Sequence, residues 1–150
     1  GRRQAVEYSN LSRSLERMAD HAHQMAGLVI EDNGITSLAV DGVPLNQIPI
    51  WQEAIRTLMI NIRTKDAQEI EDARDSLKAA QNILKMHERS LWSGRKEAPK
   101  LLFEDHISES VRRLCAYARD FGETLLNMLA HDMMVTERKE EYSENGVGQL

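Results

Sequence analysis

Residues 8–29, YSNLSRSLERMADHAHQMAGLV, place an apolar side chain at alternating steps of three and four positions. An α-helix completes a turn in about 3.6 residues, so this spacing aligns those side chains along one side of a helix. We therefore expect a first helix that ends near Glu31. Its apolar stripe consists of Tyr8, Leu11, Leu15, Met18, Ala22, Met25 and Val29.

Turn-forming residues separate this helix from a second one. The segment DNGITSLAVDGVPLNQIP contains Asn-Gly, Asp-Gly and two prolines, and it predicts a long loop over residues 32–48. Pro49 suits the first turn of a helix, where its missing N–H is tolerated. The stripe of the second helix consists of Trp51, Ile55, Leu58 and Ile62.

Two further helices follow. Asp66 and Glu69 have the spacing of a capping box, with Asp in place of Ser or Thr, and predict a third helix after a short connection at residues 64–65. Gly94 and Pro99 bracket a loop before the fourth helix, and the polar tail over 138–150 is expected to fray. The third stripe is Ile70, Ala73, Leu77, Ala80, Leu84, His87 and Leu91, and the fourth is Ile107, Val111, Leu114, Ala118, Phe121, Leu125 and Met128.

The composition agrees with an all-α protein. The chain has 150 residues, of which 41% are hydrophobic and 29% charged, with only three prolines, so one helical domain is expected. Three long helices and a shorter one, with stripes close to a 3.5-residue period, predict an elongated antiparallel bundle of four main helices. A repeat solenoid fits less well because the helix lengths are unequal.

Charge and cysteine content exclude several classes of function. A net charge of −5 gives no long-range attraction for nucleic acid or an anionic membrane surface. Cys115 is the only cysteine, which rules out an intrachain disulfide and a cysteine-rich zinc site and favours a reducing, cytosolic setting. No apolar run approaches the length of a membrane span. Because the chain begins with Gly rather than Met, we expect it to be a fragment of a longer protein.

The first helix carries a candidate metal site. Glu16 and Asp20 lie one turn apart, away from the apolar stripe, and His23 falls near the same line. Oxygen donors with an imidazole suit iron, manganese, magnesium or zinc. Glu71 and Asp75 on the third helix have the same acidic spacing and form a weaker candidate. Such pairs also arise by chance in a chain with 24 acidic residues, so an ordinary solvated face is the alternative.

Recognisable catalytic motifs are missing from the sequence. The Asp20-to-His23 spacing occurs once and faces outward, whereas a ferritin-like di-iron site needs inward Glu-x-x-His motifs on two helices. Cys115 lies within a helix without a Gly-rich turn, and no phosphate-binding glycine loop is present. His87 falls on an apolar stripe, where a core histidine with one satisfied nitrogen is expected. We therefore expect a protein that is not an enzyme.

Two segments resemble PhoU-like domains. SLERMADHAHQMA (14–26) resembles the family's signature helix, in which Glu-Arg-x-x-Asp is followed by His or Tyr and small residues. DSLKAAQNILKMHERSLWSG (75–94) is similar to the middle helix of the cytosolic PhoU-like region of sodium/phosphate cotransporters, with His87, Arg89, Leu91 and Gly94 in similar places. With the helix order, the resemblance covers most of residues 8–130.

The resemblance implies a three-helix repeat preceded by one additional signature helix. Laying VRRLCAYARDFGE over LERMADHAHQMAG preserves the apolar frame, but Arg112 replaces Glu16, Ala116 replaces Asp20 and Arg119 replaces His23. Helices two to four would form the repeat, and the first helix would close a preceding one.

The resemblance also implies a function. The chain would be a cytosolic regulatory domain of a phosphate transport system, near the inner face of the cell membrane, which contacts a transporter membrane domain or a phosphate-sensing protein. Iron, zinc or another divalent ion would be the metal for Glu16, Asp20 and His23. The alternative is a metal-independent helical module that pairs with another protein or with a second copy of itself.

Overall fold

The computed structural model describes residues 1–34, 36–93 and 98–147, with the side chain of residue 147 excluded. Over these ranges the chain forms four α-helices and a short 3-10 turn at Leu45–Gln47, with no strand. The helices are α1 (Arg2–Asp32), α2 (Ile48–Thr64), α3 (Ala67–Leu91) and α4 (Ala98–Val147). The predicted all-α helical bundle is confirmed, and each predicted helix is present. Gly94 lies outside the described residues.

The long helix α4 is the centre of the bundle. It packs against α3 and α2 to form a three-helix unit, and α1 packs against α4 as well. Apolar side chains from all four helices meet in one core cluster, as the stripe spacings predict. The cluster consists of Leu11, Met18, Ala54, Leu58, Ile70, Ala73, Leu77, Ala80, Leu114, Cys115, Ala118, Phe121 and Leu125. Further buried apolar residues on α3 and α4 are Leu84, Leu91, Leu101, Ile107 and Val111.

A buried asparagine fixes the turn between α2 and α3. Asp66 caps α3 as predicted, because its Oδ1 accepts hydrogen bonds from the N–H groups of Gln68 and Glu69 at 3.0 and 3.1 Å. In a complete capping box, the Asp66 N–H would donate to the Glu69 carboxylate, but here Asn61 is the partner of both groups. The Asp66 N–H donates to Asn61 Oδ1 at 2.8 Å, and the Glu69 carboxylate accepts from Asn61 Nδ2 at 2.9 Å. Asn61 thus joins both ends of the turn, and it is itself buried.

The helices approach closely at Gly122 on α4. A Cβ built there would lie 2.8 Å from Cγ of Arg74 and 3.2 Å from Cδ2 of Leu58. Arg74 is held across this contact, since its Nε donates to the Arg119 carbonyl oxygen at 3.3 Å. The missing side chain therefore lets α4 pack against α2 and α3 at the same level.

The end of α4 differs from the expectation of a frayed tail. The helix continues through Arg138 to Val147, and the side chains from Asp132 to Gly146 are exposed. Glu, Lys and Arg in this stretch are good helix formers, so the backbone can remain helical without burying side chains. Residues 148–150 lie outside the described ranges.

Candidate interaction surface

Two adjacent lines of residues run along α1, and only one of them is covered. Both lines follow the alternating three- and four-residue steps of a helix-packing face. The first faces α4: Leu11, Ser14 and Met18 are buried, and Glu7, His21, Met25, Leu28 and Asp32 are half-buried. The second line is exposed at every position, and we call it the α1 seam: Ala5, Tyr8, Ser12, Leu15, Ala19, Ala22, Ala26 and Val29.

The α1 seam has the composition of a helix-packing face. None of its eight residues is charged, and seven are apolar or aromatic. Tyr8, Leu15 and Val29 are 49%, 39% and 55% exposed. At 1.5 Å per residue, the line extends for about 36 Å. A continuous uncharged surface of this kind on a helix is typical of a protein contact.

The apolar stripe predicted for α1 is therefore divided in two. Leu11, Met18 and Met25 face the core, whereas Tyr8, Leu15, Ala22 and Val29 belong to the exposed seam. The fourth helix is different. Val111, Leu114, Ala118 and Phe121, which align with the α1 stripe, are all buried because α4 has neighbours on several sides.

Clefts adjoin the α1 seam near both of its ends. Tyr8 borders a cleft of 410 Å³ between α1, the end of α2 and α4, with an apolar wall of Ile62, Leu125, Met128, Leu129 and Val135. Val29 borders a second cleft, of 270 Å³, whose other walls include Leu38, Leu45, Ile48 and Phe103. Charged residues, among them Arg3, Lys65 and Asp132, flank the apolar wall of the first cleft, whereas the second cleft is lined by uncharged side chains.

The predicted metal ligands lie beside the α1 seam but do not form a cluster. Glu16, Asp20 and His23 are all exposed. No group of three or more His, Cys, Asp or Glu side chains that could hold a metal ion is found within the described ranges. Metal binding at this face stays a prediction from the sequence.

The weaker acidic pair also lies at the surface. Glu71 and Asp75 are exposed on α3, and Glu71 Oε2 lies 3.8 Å from Arg74 Nη1. An ion pair one turn apart on the same helix, with its carboxylate exposed, is an ordinary feature of a helix surface.

His21 faces α4, unlike its neighbours on the outer side of α1. Its ring lies 5.4 Å from that of Tyr117, and the Arg17 guanidinium stacks over Tyr117 at 5.6 Å. Within the described part of the chain, the Nδ1 atom of His21 is buried and has no hydrogen-bond partner. Burial lowers the pKa of His21, and the positive charge of Arg113 lowers it further, against weaker opposing effects of Glu109 and Asp20.

The structure contains a polar cluster between α3 and α4 that the sequence analysis did not predict. His87 Nε2 lies 3.0 Å from Glu104 Oε1, so one nitrogen of the ring is satisfied as expected, but His87 is half-buried rather than part of the core. Next to it, the Arg112 guanidinium donates to the Glu88 carboxylate at 3.1–3.2 Å, and Ser108 Oγ donates to Glu88 Oε2 at 3.2 Å. Arg112, which replaces Glu16 in the overlay of the two helices, thus binds α3.

Cys115 is a core residue. It is fully buried, and burial raises its pKa to about 12. A thiol with this pKa is neutral and unreactive at physiological pH. Cys115 therefore serves packing, as its place within a helix without a Gly-rich turn suggests.

Comparisons with known proteins add no family assignment. No family model, curated protein sequence or solved structure matches the chain. Within the described ranges, none of the helices combines the length and the apolar character that crossing a bilayer requires.

Proposed function

We propose that the chain is a regulatory helical domain that acts by protein contact, and that the α1 seam is its contact surface. The exposure of the whole seam, while the adjacent line of α1 is covered by α4, is the observation that carries this proposal. Leaving Tyr8, Leu15 and Val29 in water has a free-energy cost that a partner helix would remove.

The PhoU-like resemblance supplies the proposed biological role. α2, α3 and α4 pack together as one three-helix unit, and α1 is an additional helix against α4. This arrangement agrees with a signature helix followed by one repeat. By this proposal the domain regulates a phosphate transport system from the cytosol, through a transporter membrane domain or a phosphate-sensing protein.

Phosphate uptake by cells tests the role directly. Leu15→Glu places a charge in the middle of the α1 seam without disturbing the core, since Leu15 is exposed. Val6→Glu is the matched control, because Val6 is also exposed on α1 but lies outside the seam. We expect Leu15→Glu to change the regulation of uptake as strongly as deletion of residues 1–150, and Val6→Glu to leave it unchanged. Unaltered uptake after the deletion would refute the proposed role.

A further inference from the structure

We propose that the partner covering the α1 seam is the same seam of a second copy of the chain, in antiparallel orientation. This inference rests on the proposed function in one respect, which is that the α1 seam is a contact surface. Two observations identify the partner: the order of large and small residues along the seam, and the distribution of charge along α1.

Side-chain size favours the antiparallel orientation. When two copies of α1 cross antiparallel with their centres at residue 17, residues whose numbers add to 34 lie opposite each other. Each larger side chain then faces a small one, which is how closely packed helices interdigitate. The facing pairs are Val29 with Ala5, Tyr8 with Ala26, Leu15 with Ala19, and Ser12 with Ala22, each occurring twice.

A parallel pair would pack less evenly. Each residue would face its own copy, so Tyr8 would lie on Tyr8 and Leu15 on Leu15, while Ala5, Ala19 and Ala26 would face only alanine. Layers of two large side chains and layers of two alanines would then alternate along the helix pair. Overpacked and underfilled layers are both unfavourable, so the pattern of the α1 seam selects against this orientation.

Charge along α1 favours the same orientation. Residues 1–13 carry three arginines and one glutamate, whereas residues 14–32 carry one arginine and four carboxylates. An antiparallel pair places the basic end of one helix beside the acidic end of the other, with residues 2 and 3 level with residues 32 and 31. A parallel pair would place like charges together.

One pair of charges opposes the association. Glu16 borders the α1 seam near the crossing point and lies level with residue 18 of the second copy, so the two Glu16 positions are only about 3 Å apart along the helix axis. Like charges at such a position weaken helix pairing slightly. Glu16→Gln should therefore tighten the dimer, by roughly twofold. A weaker dimer in this variant would contradict the crossing point.

Cross-linking of variants with one added surface cysteine tests the orientation. Ala5→Cys and Val29→Cys are exposed positions, and the native Cys115 is buried with an unreactive thiol. With a short bismaleimide, we expect a mixture of the two variants to form a covalent dimer of one chain of each, and either variant alone to form little. Cross-linking of Ala5→Cys with itself as efficiently as with Val29→Cys, or no cross-link in the mixture, overturns the proposal.

The two proposals can fail separately. If the mixture forms no cross-link but Leu15→Glu still alters phosphate uptake, the α1 seam binds a different protein and self-pairing is wrong. If the cross-link forms but uptake is insensitive to Leu15→Glu, the chain pairs with itself as inferred and the proposed role in phosphate transport is wrong.

Discussion

Leu15 and Met18 are one turn apart on α1, yet Met18 is 4% exposed and packs against α4, whereas Leu15 is 39% exposed. The sequence pattern treats them as members of one stripe. In the structure, the boundary between the covered and uncovered sides of α1 passes between them.

Replacing these two residues by alanine should have unequal effects. Met18→Ala leaves a cavity in the core and should lower the free energy of unfolding by about 2–4 kcal/mol. Leu15→Ala removes an exposed side chain and should change it by less than about 1 kcal/mol. Urea unfolding at low protein concentration, where association is weak, measures both. Equal losses would show that Leu15 belongs to the monomer's core.

Two helical glycines provide a matched test of packing. Gly122→Ala places a Cβ against Arg74 and Leu58 and should destabilise the fold by about 1–3 kcal/mol. Gly27→Ala on α1 places a Cβ that meets no atom within 4 Å among the described residues beyond its own helical turn, and it should stabilise the helix by about 0.5–1 kcal/mol. Thermal unfolding of both variants measures these two changes in stability. Stabilisation by Gly122→Ala would mean that α4 is not closely packed at this position.

The turn between α2 and α3 depends on Asn61. Asn61→Ala leaves the Asp66 N–H without its acceptor and the Glu69 carboxylate without its donor. We expect a loss of about 1–3 kcal/mol in the free energy of unfolding. Asn82→Ala, at an exposed position of α3, is the control and should be nearly neutral. Similar effects of the two substitutions would contradict a structural role for Asn61.

The environment of His21 predicts a dependence of stability on pH. Its pKa in the folded chain lies below the ordinary 6.5, so protons bind more tightly to the unfolded chain. The contribution of His21 to the free energy of unfolding is fully present above pH 6.5 and is lost as the pH falls through the pKa of the folded chain. His21→Asn should flatten this part of the curve. An NMR titration of His21 with a pKa of 6.5 or higher would refute the prediction.

Metal analysis tests the acidic face of α1. If Glu16, Asp20 and His23 hold a metal ion, as the sequence predicts, protein purified without chelator should carry iron, zinc or another divalent ion that is lost in Glu16→Ala/Asp20→Ala. Equal and negligible metal in the two proteins would remove the predicted metal site.

The sequence was sufficient for the helices because their signals are local. The stripe spacings, Pro49, and the Asp66 cap depend on residues close to one another in the chain. Which side of α1 is covered is not a local property, since a broad apolar stripe can pack against one neighbour or two. Asn61 and the Glu88–Arg112 pair depend on contacts between helices, and the spacing along either helix gives no sign of them.

Sedimentation equilibrium tests the pairing of the α1 seam most directly. Wild-type protein and Val6→Glu should associate from monomer to dimer as the concentration rises, and Leu15→Glu should remain monomeric with an unchanged helical circular dichroism spectrum. A wild type that stays strictly monomeric at the highest concentration, or a Leu15→Glu variant that associates like the wild type, would contradict pairing through this surface.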